Sequence, residues 1–137
     1  YFRLAEMYLN YAEALNEVLS SPSQDVYDAV NAVRSRSGVV NLPAGLNKEQ
    51  MRERIRNERA IELSFEEHRW WDARRWKKAV EWFGGAMYEM EITKDGGNLV
   101  FNKKPFYNRV YRSYMDLYPI PTGEMRKNLL YQQNPGW

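Results

Sequence analysis

Cysteine is missing from the chain altogether, which excludes disulfides, thiol nucleophiles and Cys-ligated zinc or iron–sulfur sites. Histidine occurs once, at His68, so no histidine cluster can form. Charge of one sign is also in short supply. With 20 basic and 18 acidic residues the formal net charge is +2, unlike a polyanion binder, which concentrates one sign on one face. No apolar run approaches the roughly 20 residues that cross a bilayer. The basic–apolar–small pattern of a signal peptide is missing from the N-terminus. The chain opens instead on Tyr1-Phe2-Arg3-Leu4, already inside a helical pattern, and reads as an excised piece of a longer protein.

What is present is a helical region followed by a β-prone one. The 137 residues are 44% hydrophobic and 15% aromatic, enough for one core but not comfortably two. Residues 1–137 are therefore read as a single domain, helical over 1–83, with a hairpin and tail over 84–137. Leu4, Met7, Tyr8, Tyr11, Ala12, Leu15 and Leu19 recur at helical spacing and predict the buried stripe of a first helix. Ser20-Ser21-Pro22-Ser23 stops it. A second helix is predicted from Gln24-Asp25, with Val26, Ala29, Val30 and Val33 inward and Gly38 as its left-handed terminator. Two antiparallel helices, with Ala12 and Ala29 for close approach, resemble one tetratricopeptide-type unit.

After a linker containing Pro43 and Gly45, Asn47-Lys48-Glu49-Gln50 reads as a capping box ahead of a long helix carrying Met51, Ile55, Ile61, Leu63 and Phe65. Trp70, Trp71, Trp76, Trp82 and Phe83 follow, and Gly84-Gly85 ends the helical part. Tyr88, Met90 and Ile92 then alternate with Glu89, Glu91 and Thr93, and a glycine-rich turn precedes Leu99-Val100-Phe101: a hairpin. From Pro105 onward a Tyr-, Asn- and Pro-rich tail is predicted to pack as an irregular strap.

Four constellations invite a chemical reading. Glu58, Glu62 and Glu66 repeat every four residues, but glycosidase carboxylates face each other across a cleft, and one helix face makes no cleft. A structural ion network is the simpler account, with Arg59, Arg69 or Arg75 as candidate bidentate partners. His68 beside Glu66, Glu67 and Asp72 lacks the converging set a metal needs. No strained nucleophile turn accompanies any serine. Arg69-Trp70-Trp71-Asp72-Ala73-Arg74-Arg75-Trp76-Lys77-Lys78 mixes cations with base-stacking aromatics, yet cation–π packing of Arg on Trp within a core uses them more economically than nucleic acid does. Exposed Trp or Tyr could equally stack on sugar rings. No catalytic, cofactor or metal residue is assigned, and no cofactor is implied.

The motifs taken together resemble a known family. Arg3-Leu4-Ala5-Glu6-Met7-Tyr8-Leu9-Asn10-Tyr11-Ala12-Glu13-Ala14 is similar to the R-x-A-E-x-Y-L-x-x-A-E-A helix of the SusD/RagB nutrient-binding proteins of Bacteroidetes. Asn31 to Gly38 follows its N-x-V-R-x-R-x-G stretch, and Glu58 to Glu66 its E-R-x-x-E-L-x-F-E signature. Arg69-Trp70-Trp71-Asp72 and Arg75-Trp76 come next in order. Pro119-Ile120-Pro121, Glu124, Asn128 and Gln133-Asn134-Pro135-Gly136-Trp137 resemble the family's terminal P-I-P…E…N…Q-N-P-G-[YW]. Glu67 departs, standing where the family usually has glycine, which bears on the sharpness of the turn before His68.

The resemblance implies a mainly α fold: a tetratricopeptide-like helical hairpin plus a long helix, a small β-hairpin and an irregular aromatic tail. It implies a parent that is lipid-anchored on the extracellular face of the outer membrane. Such a parent captures oligosaccharides or other nutrients, mainly through its N-terminal part, and works with a TonB-dependent transporter barrel. It implies no enzyme and no nucleic-acid partner. A stand-alone helical-repeat interaction module and a carbohydrate-active enzyme are the rival readings, separable by an upstream lipobox cysteine and by product release on glycans.

Overall fold

A computed structural model describes residues 2–137. The chain divides into two compact units, Tyr1–Arg69 and Trp70–Trp137.

The first unit is three helices: α1 (Leu4–Val18), α2 (Gln24–Arg36) and α3 (Lys48–Glu62). Its core joins Ala12, Val26, Ala29, Val30, Leu42, Met51 and Ile55, so the two alanines do lie where the helices approach. The stripe of α2 is buried as its spacing predicts, and Gly38 adopts φ 70° after the helix end. The start of α3 carries the full capping box: Asn47 accepts from the Gln50 N–H, and the Gln50 side chain accepts from Asn47 N–H, both at 2.9 Å.

The buried face of α1 is a correction. Glu6, Leu9, Ala12 and Asn16 point inward, whereas Leu4, Met7, Tyr8 and Tyr11 are exposed. Both faces of this helix carry apolar residues at helical spacing, so periodicity finds a stripe without deciding which one is covered.

The long helix also ends sooner than its apolar pattern suggests. Ile61 and Phe65 are exposed, and the chain turns sharply between Glu62 and His68, with Phe65 and Glu67 at φ 63° and 65°. Glu67, standing where the resembled family usually has glycine, thus holds a left-handed conformation. An L-residue there costs about 1–2 kcal/mol. The rest of the helical stretch is two short pieces, α4 (His68–Arg75) and α5 (Ala79–Phe83), separated by Lys77 at φ 58°.

In the second unit β1 (Gly85–Asp95) pairs antiparallel with β2 (Asn98–Arg109). Asp95 pairs with Asn98, leaving only Gly96-Gly97 in the loop, at φ 54° and 91°, as a two-residue turn with both centres left-handed requires. β2 runs past Pro105, where the tail was expected to begin. A register shift between Met87 and Tyr88 accommodates Phe106 as the extra residue: Tyr88 pairs with Pro105, Met87 with Tyr107, and pairing runs on to Arg109. Beyond it lie a 3-10 turn (Ser113–Asp116), α6 (Thr122–Met125) and irregular chain. Among the described residues no helix is long and apolar enough to cross a membrane.

Candidate functional site

The glutamate series is an ion network, but its partners are not those expected. Arg34 Nη1 donates to Glu58 Oε2 at 2.6 Å. Glu62 accepts from Arg3 Nη1 and from Arg36 Nη2, each at 2.8 Å. Glu66 takes both arms of Arg3, at 2.7 and 3.0 Å. These arginines arrive from the start of α1 and the end of α2. Neighbours along one helix project around its axis, so a carboxylate facing another helix meets that helix's cations. Arg34-x-Arg36 at the basic end of α2 was the legible signal. Arg59 instead donates to Asn10 Oδ1 at 2.6 Å and lies 3.9 Å from Glu13. Arg75 donates to Asp72 Oδ1 at 2.8 Å.

These pairings fix the chemistry available. Hydrogen bonds from Arg3 hold the Glu66 carboxyl below its ordinary range, and Glu66, then Glu62, hold the Arg3 guanidinium above its own. A general acid needs the opposite shift. His68 Nε2 lies 3.9 Å from Glu6 Oε2. Among the described residues no group of three or more histidine or carboxylate side chains could hold a metal ion.

Trp70 and Trp71 are brought together around Arg74 in the second unit, though both remain exposed. Arg74 is 5% exposed, and its guanidinium stands 4.1 Å from the Tyr118 ring centre, 5.2 Å from Trp70 and 5.4 Å from Trp71. Its Nε donates to the Asp116 carbonyl at 2.9 Å. Trp70 stacks on Phe83 at 5.1 Å and meets Tyr111 edge-on at 6.0 Å. Trp76 meets Trp82 edge-on, with Arg75 over the Trp76 ring at 4.5 Å. Burial, then the hydrogen bond to Asp116, pushes the Tyr111 phenol up.

The terminal motif closes this unit. Gln133 clamps the backbone of Ile120, accepting from its N–H at 2.7 Å and donating to its carbonyl at 3.0 Å. Asn134 Nδ2 donates to the Tyr118 carbonyl at 2.6 Å, and Trp137 Nε1 to that of Leu117 at 3.0 Å. Gly136, at φ 91°, lies so near Tyr114 that a Cβ would meet that ring's Cγ at 2.9 Å. Motif residues thus hold the chain to itself. Sequence reasoning missed Tyr118 as an anchor, since it belongs to no motif or periodic pattern, and reached Gln133 through the terminal motif alone.

Three of the open grooves at the surface carry aromatic side chains. In the first unit, Tyr8, Tyr11, Asp25 and Asp28 border a groove of about 330 Å³. In the second, Trp70, Phe83, Tyr107 and Tyr111 border one of about 460 Å³, and Trp71, Arg74, Arg75, Lys77, Asp116 and Leu117 one of about 390 Å³.

The comparisons with known proteins agree along the whole chain. The SusD family model matches residues 1–137. The SusD-like protein P2 of Formosa agariphila is 35% identical over 98% of this chain, which corresponds to 25% of that protein. A SusD-like protein from Bacteroides fragilis superposes with a TM-score of 0.80 at 32% identity, over 97% of this chain and 25% of its own. A SusD homolog from Bacteroides thetaiotaomicron gives a TM-score of 0.72 at 30% identity, over 100% of this chain and 26% of its own. The chain spans about a quarter of the length of these relatives. The 137 residues belong to the SusD family.

Proposed function

We propose that this chain is part of a surface lipoprotein on the extracellular face of the outer membrane. That protein captures oligosaccharides or other nutrients and passes them to a TonB-dependent transporter barrel, without catalysing a reaction. The observation that carries the reading is the family match over all 137 residues. Capture needs only shape, stacking and hydrogen bonds. It agrees with carboxylates that are taken up by arginines. Most ligand contacts are assigned to the part of the relatives that this chain does not span, because the signature residues here are occupied in holding the fold.

Two measurements test it. Incubated with a polysaccharide panel, the chain is expected to release no product; turnover abolished by Glu58→Gln or Glu62→Gln would make it an enzyme. Shaving intact cells with protease is expected to remove the epitope of an antibody raised against this chain. Protection until the outer membrane is opened would overturn the surface location.

A further inference from the structure

The groove beside Arg74 has features that packing alone does not use. Arg74 Nη1 is buried and finds no hydrogen-bond partner among the described residues, although Nε of the same guanidinium is satisfied. The guanidinium stands over the rings of Tyr118, Trp70 and Trp71, which hold its positive charge beside the groove. Around it lie Trp71, Arg75, Lys77, Asp116 and Leu117, enclosing about 390 Å³. The Trp71 side chain is 54% exposed, a flat apolar surface as wide as a pyranose ring. Lys77 has a side chain 76% exposed, and its ammonium stands 3.8 Å from Asp116, beyond hydrogen-bond length. Arg75, though paired with Asp72, keeps a side chain 43% exposed. Asp116 already accepts from the Tyr111 hydroxyl at 3.1 Å. Arg74, Arg75 and Lys77 thus line the groove with one carboxylate, Asp116, while Asp72 is paired with Arg75.

We propose that this groove is a subsite for an acidic sugar, one whose ring lies on Trp71 while its carboxylate or sulfate is met by Lys77 and Arg75, with the charge of the buried Arg74 guanidinium behind. A neutral sugar would use the indole and leave the positive surplus unmatched. A single exposed indole with a carboxylate in the wall suits one sugar ring better than a run of stacked bases, which calls for a succession of aromatic platforms. The inference rests on the oligosaccharide reading above and narrows its substrate class. The groove is open, so a subsite alone binds weakly, at a Kd of about 1 mM. Its contribution is charge selectivity.

The test is a titration of the nitrogen-15-labelled 137-residue chain, followed at the Trp71 indole N–H resonance. The probes are digalacturonate, its dimethyl ester, a sulfated galactose and a mononucleotide. Digalacturonate or the sulfated sugar is expected to move the Trp71 signal, the tighter of the two naming the anion. The ester should bind about tenfold more weakly, and added salt should erode the difference. Lys77→Gln, at an exposed position, should lower affinity for the acidic probe about five- to tenfold without changing that for the ester, and Lys77→Arg should restore it. The proposal is overturned if ester and acid bind alike, if Lys77→Gln changes nothing, if the shifts fall on other tryptophans, or if the mononucleotide binds tightest. Neutral glycans bound elsewhere, indifferent to Lys77→Gln, would remove this subsite and leave the capture function standing. Silence towards every glycan, by this chain and by a longer parent, would remove both.

Discussion

The two units are stabilised by different means. The first buries aliphatic side chains: Leu9, Val26, Val30, Met51 and Ile55 are all within 1% of full burial. Ion pairs then tie its helix ends together. Among the described residues of the second unit, the fully covered apolar ones are Ala73 and Ala79. Its cohesion comes from rings meeting edge-on, from a guanidinium among three of them, and from side chains that grip backbone carbonyls. The lesson concerns tolerance. An aliphatic core is roughly proportional to area and forgiving of shape, whereas aromatic and backbone-directed contacts are geometric and fail when one partner is displaced.

The largest expected effect lies where the first unit departs from its own rule and buries charge. Glu58 is almost fully covered, and Arg34, its partner, is largely so. Glu58→Ala strands the Arg34 guanidinium and should destabilise by about 3–5 kcal/mol, while Arg34→Met with Glu58→Leu should recover most of the loss. Chemical denaturation of the three variants checks both halves. A single variant as stable as the parent would show that the first unit depends on its aliphatic core alone.

In the second unit the corresponding test is a single methyl group. Gly136→Ala places a Cβ against Tyr114 and imposes a left-handed conformation on an L-residue. About 2–3 kcal/mol is expected from the strain and the displaced ring. Near-ultraviolet circular dichroism, which reports on packed aromatic rings, should lose intensity while the far-ultraviolet helical signal stays. Unchanged aromatic dichroism would mean that the terminal motif does not hold the rings.

Much of this was legible in the sequence, and the reasons differ by element. The stripe of α2, the Asn47–Gln50 box and the Gly96-Gly97 turn are local, so residue type and spacing suffice. The covered face of α1 and the owners of the glutamates depend on which helices meet, and no local pattern carries that. The groove that Lys77 and Arg74 line was not legible for a further reason. A groove arises from a chain reversal between Arg75 and Ala79 and from a 3-10 turn some 40 residues on, neither of which has a periodic signature.

A smaller effect is expected where sequence and conformation disagree. Glu67 is exposed at φ 65°, and glycine relieves that strain at the cost of greater freedom when unfolded. Glu67→Gly should stabilise by at most about 1 kcal/mol, a rise of about 2–4 °C in Tm for a chain of this size. A fall in Tm would show that the Glu67 side chain does something its conformation does not reveal.

The smallest effect concerns an exposed pair of the first unit, and it is best read through pH. Arg52 donates to both oxygens of Glu17 at 2.6 Å and also contacts Glu49. The hydrogen bonds from Arg52 hold the Glu17 carboxyl below its ordinary value of 4.5. A carboxylate depressed in the folded state adds stability above its unfolded pKa and loses it as pH falls through the folded value. Glu17→Gln removes that contribution, so the variant should be less stable than the parent at neutral pH and equal to it once the parent's Glu17 is protonated in the folded state. The Glu17 side chain is 42% exposed, so solvent screening limits the difference to about 0.2–1 kcal/mol. Added salt should shrink it further, which a buried pair such as Arg34–Glu58 would resist. Thermal melts from neutral to strongly acid pH, at low and high salt, measure this directly. A gap between parent and Glu17→Gln that persists below the folded pKa would mean that the side chain stabilises by packing, and the contrast between exposed and covered ion pairs in this unit would then disappear.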